Sequence, residues 1–254
     1  MRNIPKKYES IFREVKNIKN HKKKIDFLYN SFEGETCYVL GCGPSISEAF
    51  MDIDKITNVL ENNFVLTIKA SYNLCEATSN FHVFNCNNFI PYSYKSNCIY
   101  ISQADFCSEQ HMRSMMPEQK YDINVRVSHR QQIAVTGEIE KWTFQNAGPD
   151  RAWGPGIMYE TVLYFLLHLG FKRIKTIGWD YKNPLDVSYI PHFFSEQQRK
   201  NFQRPAAQPD KQEIIDSISL SKKFGSYLQK KGVFLSCFDS EMCYIDDSIE
   251  RFKL

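Results

Sequence analysis

Several features that would narrow the function are missing from this chain of 254 residues. Its eight cysteines form no Cys-x-x-Cys pair and have no tight spacing to histidine, which argues against a zinc site. The chain contains no internal repeat and no low-complexity tract, which indicates an ordinary globular domain. The longest apolar stretch, around residues 162–169, is far shorter than the roughly 20 residues that span a bilayer.

Neither sign of charge predominates in the chain, whose net charge is +3. A net charge this small does not indicate nucleic-acid binding. The distribution of charge is uneven, since residues 1–24 hold nine Lys or Arg against two Glu. The sequence therefore predicts a basic helical extension over residues 1–30. Two interpretations of this extension stay open: a helix that covers one side of the domain, and a segment that contacts an anionic membrane surface.

The cysteines and the basic segment together indicate the compartment. Cys37, Cys98 and Cys237 lie in apolar, strand-like runs, where Cys behaves as a small hydrophobe. Buried thiols of this kind are typical of a reducing environment. Residues 1–24 also lack the apolar core of a signal peptide. We therefore expect a cytoplasmic protein, with peripheral contact at the inner face of the membrane as an added expectation.

Short β-type runs alternate with helical patterns, which predicts a mainly parallel, Rossmann-like α/β sheet with helices on its faces. We expect one such domain over residues 31–254. The weakly patterned segment 103–150 is interpreted as a lid or insert, and the polar segment 182–209 as a long functional loop. The predicted strands are Thr36–Leu40, Phe64–Lys69, Phe81–Asn85, Cys98–Ser102, Arg173–Gly178 and Val233–Cys237, and the main predicted helices are Ile46–Leu60, Ile157–Leu169 and Ile214–Lys231.

A glycine-rich loop, Gly41-Cys42-Gly43-Pro44-Ser45, follows the first predicted strand. In open α/β sheets, ligands bind beyond the carboxyl ends of the strands. A glycine turn before a helix lets main-chain N–H groups approach a phosphate. The loop lacks the Lys of a Walker A motif and the third glycine of a dinucleotide fingerprint. It predicts a nucleotide-phosphate site, and the alternative is a tight strand-to-helix turn that binds nothing.

Two further segments place polar groups beside a strand end and a helix start. Asn85 and Asn87 come at the end of the third predicted strand, where their side chains suit a ribose or base edge as well as a turn. Arg151 precedes the turn Gly154-Pro155-Gly156, which opens an apolar helix. The forked guanidinium of Arg matches a carboxylate or a phosphate, so this segment predicts a second anion site.

Asp180 and His192 are the candidate catalytic residues. Asp180 ends a predicted strand, and His192 follows in the polar loop, where it suits the role of general acid or base. The run Asp52-Ile53-Asp54 spells the Asp-x-Asp of metal-dependent sugar transferases. It falls within or just after the first helix rather than after a central strand, so we interpret it as a solvated helix face and predict no metal.

Together these segments resemble the bacterial sialyltransferases and Kdo transferases, which use CMP-activated sugars. The resemblance rests on the Gly-x-Gly-Pro-Ser loop, the Asn-bearing strand, the Gly-Pro-Gly turn, and the Gly-Trp-Asp-Tyr strand end with the His-Phe-Phe that follows. It implies binding of CMP by Gly41, Gly43, Pro44, Ser45, Asn85 and Asn87, contact of Arg151, Gly154 and Gly156 with the sugar carboxylate or phosphate, and stabilisation of the leaving phosphate by Tyr181 and Tyr189.

The resemblance implies a metal-independent glycosyltransferase without a cofactor, whose partners are a nucleotide-sugar donor and a glycan acceptor of lipopolysaccharide, O-antigen or capsule synthesis. The chain departs from the sialyltransferases where residues 210–213 replace the histidine base before the last long helix. Two routes stay open: His192 deprotonates the acceptor, or Asp180 attacks the anomeric carbon. The alternatives are an ATP-dependent pyrophosphokinase-like enzyme with the same loop and a non-catalytic protein of this fold.

Overall fold

The computed structural model describes residues 6–85, 92–105, 120–127, 139–141, 143–144, 156–181, 193 and 211–254. Eight strands in these ranges form one parallel sheet: β1 (Thr36–Leu40), β2 (Phe64–Ile68), β3 (Phe81–Asn85), β4 (Ile99–Asp105), β5 (Ile123–Val127), β6 (Arg173–Ile177), β7 (Phe234–Phe238) and β8 (Glu250–Phe252). Their order across the sheet is β5-β4-β3-β2-β1-β6-β7-β8. The predicted Rossmann-like α/β class is confirmed.

The described helices are α1 (Lys6–Asn17), α2 (His21–Leu28), α3 (Ser45–Ala49), α4 (Ile53–Glu61), α5 (Leu163–Leu169) and α6 (Lys211–Lys230). A π-helical turn, Met158–Val162, leads directly into α5, and short 3₁₀ helices cover Lys69–Leu74 and Ile139–Lys141. None of the helices in the described residues is long and apolar enough to cross a membrane.

The larger core lies on the face of the sheet that α1, α2, α5 and α6 cover. Phe32, which follows α2, is fully buried there and lies 5.0–5.5 Å from the rings of Phe64, Phe81 and Phe171. The basic helix α1 takes part in this core, because its Tyr8, Phe12 and Val15 are buried in it. The apolar side of α1 is therefore used within the domain, and contact with an anionic membrane would depend on its exposed basic residues, such as Lys7 and Arg13.

A smaller core lies on the opposite face, under α3 and α4. Successive residues of a strand point to opposite faces, so Val39 of β1 enters the larger core while Tyr38 and Leu40 enter the smaller one. The helix predicted over Ile46–Leu60 is two helices. The second, α4, is preceded by its N-cap residue Asp52, whose side chain accepts a hydrogen bond of 3.0 Å from the N–H of Lys55. This capping bond accounts for the first carboxylate of the Asp-x-Asp run.

The strand order reverses at β1, which pairs with β2 on one side and with β6 on the other. The chain runs outward from β1 to β5 and then returns to β6. In sheets of this topology, the crevice beyond the carboxyl ends of the two strands at the reversal is the usual ligand site. The fold therefore brings the glycine loop after β1 beside the Gly-Trp-Asp segment after β6.

Six of the eight strands agree with the predicted strands to within a few residues, whereas β5 and β8 were not predicted. β5 falls inside segment 103–150, for which a lid was predicted, and it is an edge strand of the main sheet. Ile139 and Phe144 from the same segment are buried in the larger core. Most of the remaining residues of this segment lie outside the described ranges, so the lid stays a prediction for them.

Candidate functional site

The ends of β1 and β6 approach each other so closely that glycine is required. A Cβ atom on Gly41 would lie 2.2 Å from the carbonyl oxygen of Gly178. The N–H of Gly41 donates to the oxygen of Ile177, and the N–H of Gly43 donates to the oxygen of Gly178, each at 2.8 Å. The two glycines of the loop thus join the strand ends, and their amides are used for this purpose.

Asp180 is bound to the glycine loop through Ser45. The main-chain N–H of Ser45 donates to one carboxylate oxygen of Asp180, and its hydroxyl donates to the other, both at 2.7 Å. The same hydroxyl accepts a bond of 3.0 Å from the N–H of Gly178. Ser45 is fully buried, whereas Asp180 keeps partial exposure. The loop therefore fixes both oxygens of the carboxylate at the topological switch point.

The carboxyl group of Asp180 is poised to change its charge near neutral pH. Burial raises its pKa to about 6, against the opposing effect of the two hydrogen bonds from Ser45, and the nearby carboxylate of Glu48 adds to the rise. A carboxyl group with this pKa exchanges protons efficiently at physiological pH. The site can therefore supply a general base or a carboxylate nucleophile at the carboxyl edge of the sheet.

The hydrogen bonds of the glycine loop limit how this loop could bind the predicted phosphate. The N–H groups of Gly41, Gly43 and Ser45 donate to acceptors of the protein itself. A phosphate at the Ser45 amide would also meet the negative charge of Asp180 when that carboxyl is ionised. Phosphate binding by this loop stays a prediction, and it requires the phosphate either to displace Asp180 or to bind beside it.

A second group of polar side chains lies at the carboxyl ends of β3 and β4. Asn85 pairs with Gln103 across these strands. The amide of Gln103 donates to Glu160 at 2.5 Å and accepts from the hydroxyl of Thr161 at 2.6 Å, and all of these side chains are buried. In the part of the chain that the structure describes, the Oδ1 atom of Asn85 is buried without a hydrogen-bond partner. A buried acceptor of this kind needs a hydrogen-bond donor, which a water molecule or a ligand can supply.

Gln103, Glu160 and Thr161 were not predicted as site residues. Glu160 and Thr161 lie in the π-helical turn, and such turns occur frequently at functional sites. The available sequence signal was a glutamate near the start of an otherwise apolar helix. Gly156, which was predicted, precedes this turn with φ +102 and accepts hydrogen bonds from the N–H groups of Tyr159 and Glu160.

Tyr181 is half-buried and packs against the larger core. The indole N–H of Trp179 donates to the hydroxyl of Tyr181 at 3.4 Å, and the main-chain oxygen of Tyr181 accepts from the N–H of Tyr244 at 3.0 Å. The ring of Trp179 lies 5.4 Å from that of Tyr159. Tyr181 is the chain neighbour of Asp180, which Ser45 binds. The role of Tyr181 toward a leaving phosphate stays a prediction.

Five predicted site residues lie outside the described residues: Asn87, Arg151, Gly154, Tyr189 and His192. The chain neighbour of His192, Phe193, is described. Its N–H donates to the carbonyl oxygen of Cys42 at 2.9 Å, and its ring packs against the smaller core. The predicted functional loop therefore touches the glycine loop at this point. In the described part of the chain, no three His, Cys, Asp or Glu side chains gather as a metal-ligand set.

The sheet, its switch point and the two polar groups define a Rossmann-like α/β protein with a candidate site at the carboxyl edge. Neither a protein-family model nor a curated protein matches the chain. Among solved structures, the chain is similar to the MAf glycosyltransferase from Magnetospirillum magneticum AMB-1, with 12% sequence identity and a TM-score of 0.46. The match covers 97% of this chain and 38% of that protein, so the chain spans less than half of that protein's length.

Proposed function

We propose that this protein is a glycosyltransferase that transfers an acidic keto sugar, Kdo or sialic acid, from its CMP-activated donor to a hydroxyl group of a glycan precursor. The observation that carries the proposal is the carboxyl group of Asp180, which has a pKa of about 6 and stands at the topological switch point. Glycosyl transfer to a hydroxyl requires a group that removes its proton or that attacks the anomeric carbon. A fixed carboxylate suits both tasks.

The hydrogen bonds from Ser45 favour a role for Asp180 as a positioned base. Each oxygen of the carboxylate accepts one bond from Ser45, so the group is held in one orientation. Each oxygen retains a further lone pair that can accept the acceptor hydroxyl. An oriented base near its own pKa contributes a rate factor of roughly 10² to 10⁴.

Asn85 supports the cytidine part of the proposal. Its buried Oδ1 atom needs a hydrogen-bond donor, since no described residue supplies one. The exocyclic amine of cytosine is such a donor, as are the ribose hydroxyls. Uracil presents a carbonyl oxygen in place of that amine and would leave Asn85 unsatisfied if the base edge is the group that binds.

The remaining expectations from the resemblance complete the proposal. The donor phosphate lies at the glycine loop beside Asp180, and the acceptor belongs to lipopolysaccharide, O-antigen or capsule synthesis at the inner face of the membrane. Exposed basic residues of α1, such as Lys7 and Arg13, supply the contact with anionic lipid. The proposed supporting residues are Arg151, Gly154 and Gly156 for the sugar carboxylate or phosphate, Tyr181 and Tyr189 for the leaving phosphate, and His192 as the alternative base.

A thermal-shift panel of CMP, UMP, ADP and GDP, each with and without EDTA, tests the donor class. A ligand at about 100 times its Kd stabilises the native state by roughly 2.7 kcal/mol. We expect CMP to stabilise the protein more than UMP does. EDTA should not change the stabilisation by CMP. Equal shifts for CMP and UMP would remove the cytidine assignment. A preference for ADP with magnesium would instead favour the pyrophosphokinase-like activity.

Replacement of Asp180 by Asn tests the catalytic assignment. CMP release from CMP-sialic acid or CMP-Kdo, measured with a glycan acceptor, should fall by roughly 10²-fold or more, because Asn is not a base. The matched control is Asp247→Asn, since Asp247 is fully exposed and its contact with Arg251 is 3.9 Å long. Full turnover by Asp180→Asn would show that this carboxyl does not take part in the reaction.

A further inference from the structure

A cleft of about 350 Å³ opens at the amino-terminal edge of the sheet, opposite the edge that carries Asp180. Its walls are the loop between α2 and β1, the turn between α5 and β6, and the segment from the end of α6 to β7. The volume lies within the range of roughly 300–1,000 Å³ that is usual for small-molecule sites. The cleft therefore has room for a ligand about the size of one or two sugar rings.

The walls of the cleft are joined by main-chain hydrogen bonds. These bonds run from the N–H groups of Asn30, Phe32, Gly34, Lys172 and Phe234 to the oxygens of His168, Leu169, Gly170, Glu35 and Lys172, respectively, at 2.8–3.1 Å. The cleft is thus fixed by the backbone rather than by side chains that would have to rearrange. A pre-formed site loses little free energy to ordering when a ligand binds.

Aromatic rings line the cleft. The ring of Tyr29 is 55% exposed and lies 5.4 Å from the ring of His168, which also contacts Phe144 at 5.5 Å. Phe144 and Tyr164 are buried and form part of the floor. Flat rings of this kind offer an apolar surface beside polar groups, which suits the C–H face of a sugar ring.

Two side chains in the cleft offer hydrogen bonds. Tyr227 is only 5% exposed and lines the cleft. Burial raises the pKa of Tyr227, so its hydroxyl stays protonated and can donate. His168 donates through Nε2 to the carbonyl oxygen of Ile25 at 2.7 Å. Burial lowers the pKa of His168, so the ring is neutral and its Nδ1 atom is an acceptor.

The rim carries charges of both signs, from Glu33, Lys172 and Lys231. An apolar ligand would offer no hydrogen bonds to these groups or to the hydroxyl of Tyr227. A ring that bears several hydroxyl groups can donate to Glu33 and His168 and accept from the two lysines and Tyr227. The combination of aromatic surface, donors and acceptors therefore matches carbohydrate better than a purely apolar or purely ionic ligand.

We infer that this cleft binds a sugar unit of a carbohydrate. A five-residue strand such as β6 spans roughly 15 Å between the two edges of the sheet, so this sugar is distinct from one that reacts at Asp180. The cleft gives the protein a second contact with a long carbohydrate, or a contact with a separate one. Sugar binding in this cleft does not require catalysis at Asp180.

Saturation-transfer NMR on the full chain with glucose, N-acetylglucosamine and glucuronic acid tests the inference. At least one of these sugars should show transfer, with a Kd on the order of 1 mM, which is about −4 kcal/mol. Tyr29→Ala and Tyr227→Phe should each weaken binding by at least about 5-fold, a factor that corresponds to roughly 1 kcal/mol. The matched control is Tyr244→Ala, because Tyr244 is 45% exposed and lies beyond the carboxyl end of β7.

The same experiment separates this cleft from the carboxyl-edge site. The sugar signals should persist in the presence of excess CMP and in the Asp180→Asn variant, whatever that variant does to turnover. Absence of transfer from all three sugars at about 50 mM would overturn the inference. Displacement of the sugars by CMP, or binding that Tyr29→Ala and Tyr227→Phe leave unchanged, would overturn it as well.

Discussion

The carboxylate of Asp180 fills the space that a side chain at position 43 would need, because a Cβ atom on Gly43 would lie 2.4 Å from its Oδ2 atom. Glycine at position 43 thus allows β1 and β6 to end side by side, with the carboxyl of one segment bonded to the loop of the other. The packing of the strand ends and the placement of the candidate base are one structural feature.

Gly43→Ala should destabilise the protein by about 1–3 kcal/mol, because the added methyl group forces Asp180 away from Ser45. Urea unfolding at pH 7 measures this change. Gly225→Ala is the matched control: Gly225 lies inside α6, and its added Cβ would make an ordinary contact of 3.4 Å with Ile249. The control should gain up to about 1 kcal/mol from helix propensity. Equal effects at the two positions would contradict the close approach at Gly43.

The raised pKa of Asp180 predicts a pH dependence of stability. In the unfolded chain the carboxyl has a pKa of 3.8, and in the native state its pKa is raised to about 6. The native state therefore binds more protons between about pH 4 and pH 6, and its stability falls as the pH rises through this window. Relative to Asp180→Asn, the wild type should lose up to about 3 kcal/mol between pH 4 and pH 7.

Urea unfolding of the wild type and of Asp180→Asn at several pH values measures this difference, since titrations shared by the two proteins cancel. The control Asp247→Asn should track the wild type across the same range. If Asp180 is the base, the pH profile of kcat/KM should also rise with a single ionisation near pH 6. A stability difference that stays constant with pH would contradict the raised pKa.

A buried ion pair between Lys16 and Asp122 links α1 to the sheet. The ammonium of Lys16 lies 3.1 Å from the carboxylate and 3.8 Å from the ring centre of Tyr94, and the side chain of Asp122 is 1% exposed. Lys16→Met should cost about 3–5 kcal/mol, because it leaves the carboxylate buried without its cation.

Urea unfolding also measures the Lys16→Met effect, and Lys253→Met is the control. Lys253 and Asp239 form an exposed pair at 3.4 Å, which should contribute about 0–1 kcal/mol. The double variant Lys16→Met/Asp122→Asn should recover part of the loss. A cost for Lys16→Met no larger than that of the control would show that α1 does not depend on this pair.

Asp52 provides a test of the Asp-x-Asp run. Because its side chain caps α4, Asp52→Ala should lower the free energy of unfolding by about 1 kcal/mol and leave turnover unchanged. Asp54→Ala, two positions later on an exposed surface, should change stability by less than about 0.5 kcal/mol. Loss of turnover in both variants, with rescue by a divalent cation, would establish the run as a metal site.

The sheet was largely predictable because its central strands are continuous apolar runs, as strands buried on both faces require. β5 was not predicted because its Asn124 and Arg126 interrupt the apolar pattern. β8 was not predicted because it has only three residues. The placement of Asp180 at a strand end could be predicted from the Gly-Trp-Asp pattern. Its bonds to Ser45 could not, because they join segments 135 residues apart and depend on the reversal of strand order at β1.

The position of β1 between β2 and β6 also has a consequence for biosynthesis. The side chains of Thr36 and Arg173, which pair at the start of these two strands, are 137 residues apart. During translation, one edge of the central strand stays open until the ribosome has released the second half of the chain. Open apolar edges promote association between nascent chains. Yield of native protein should therefore rise when synthesis is slowed by cooling or when chaperones are in excess.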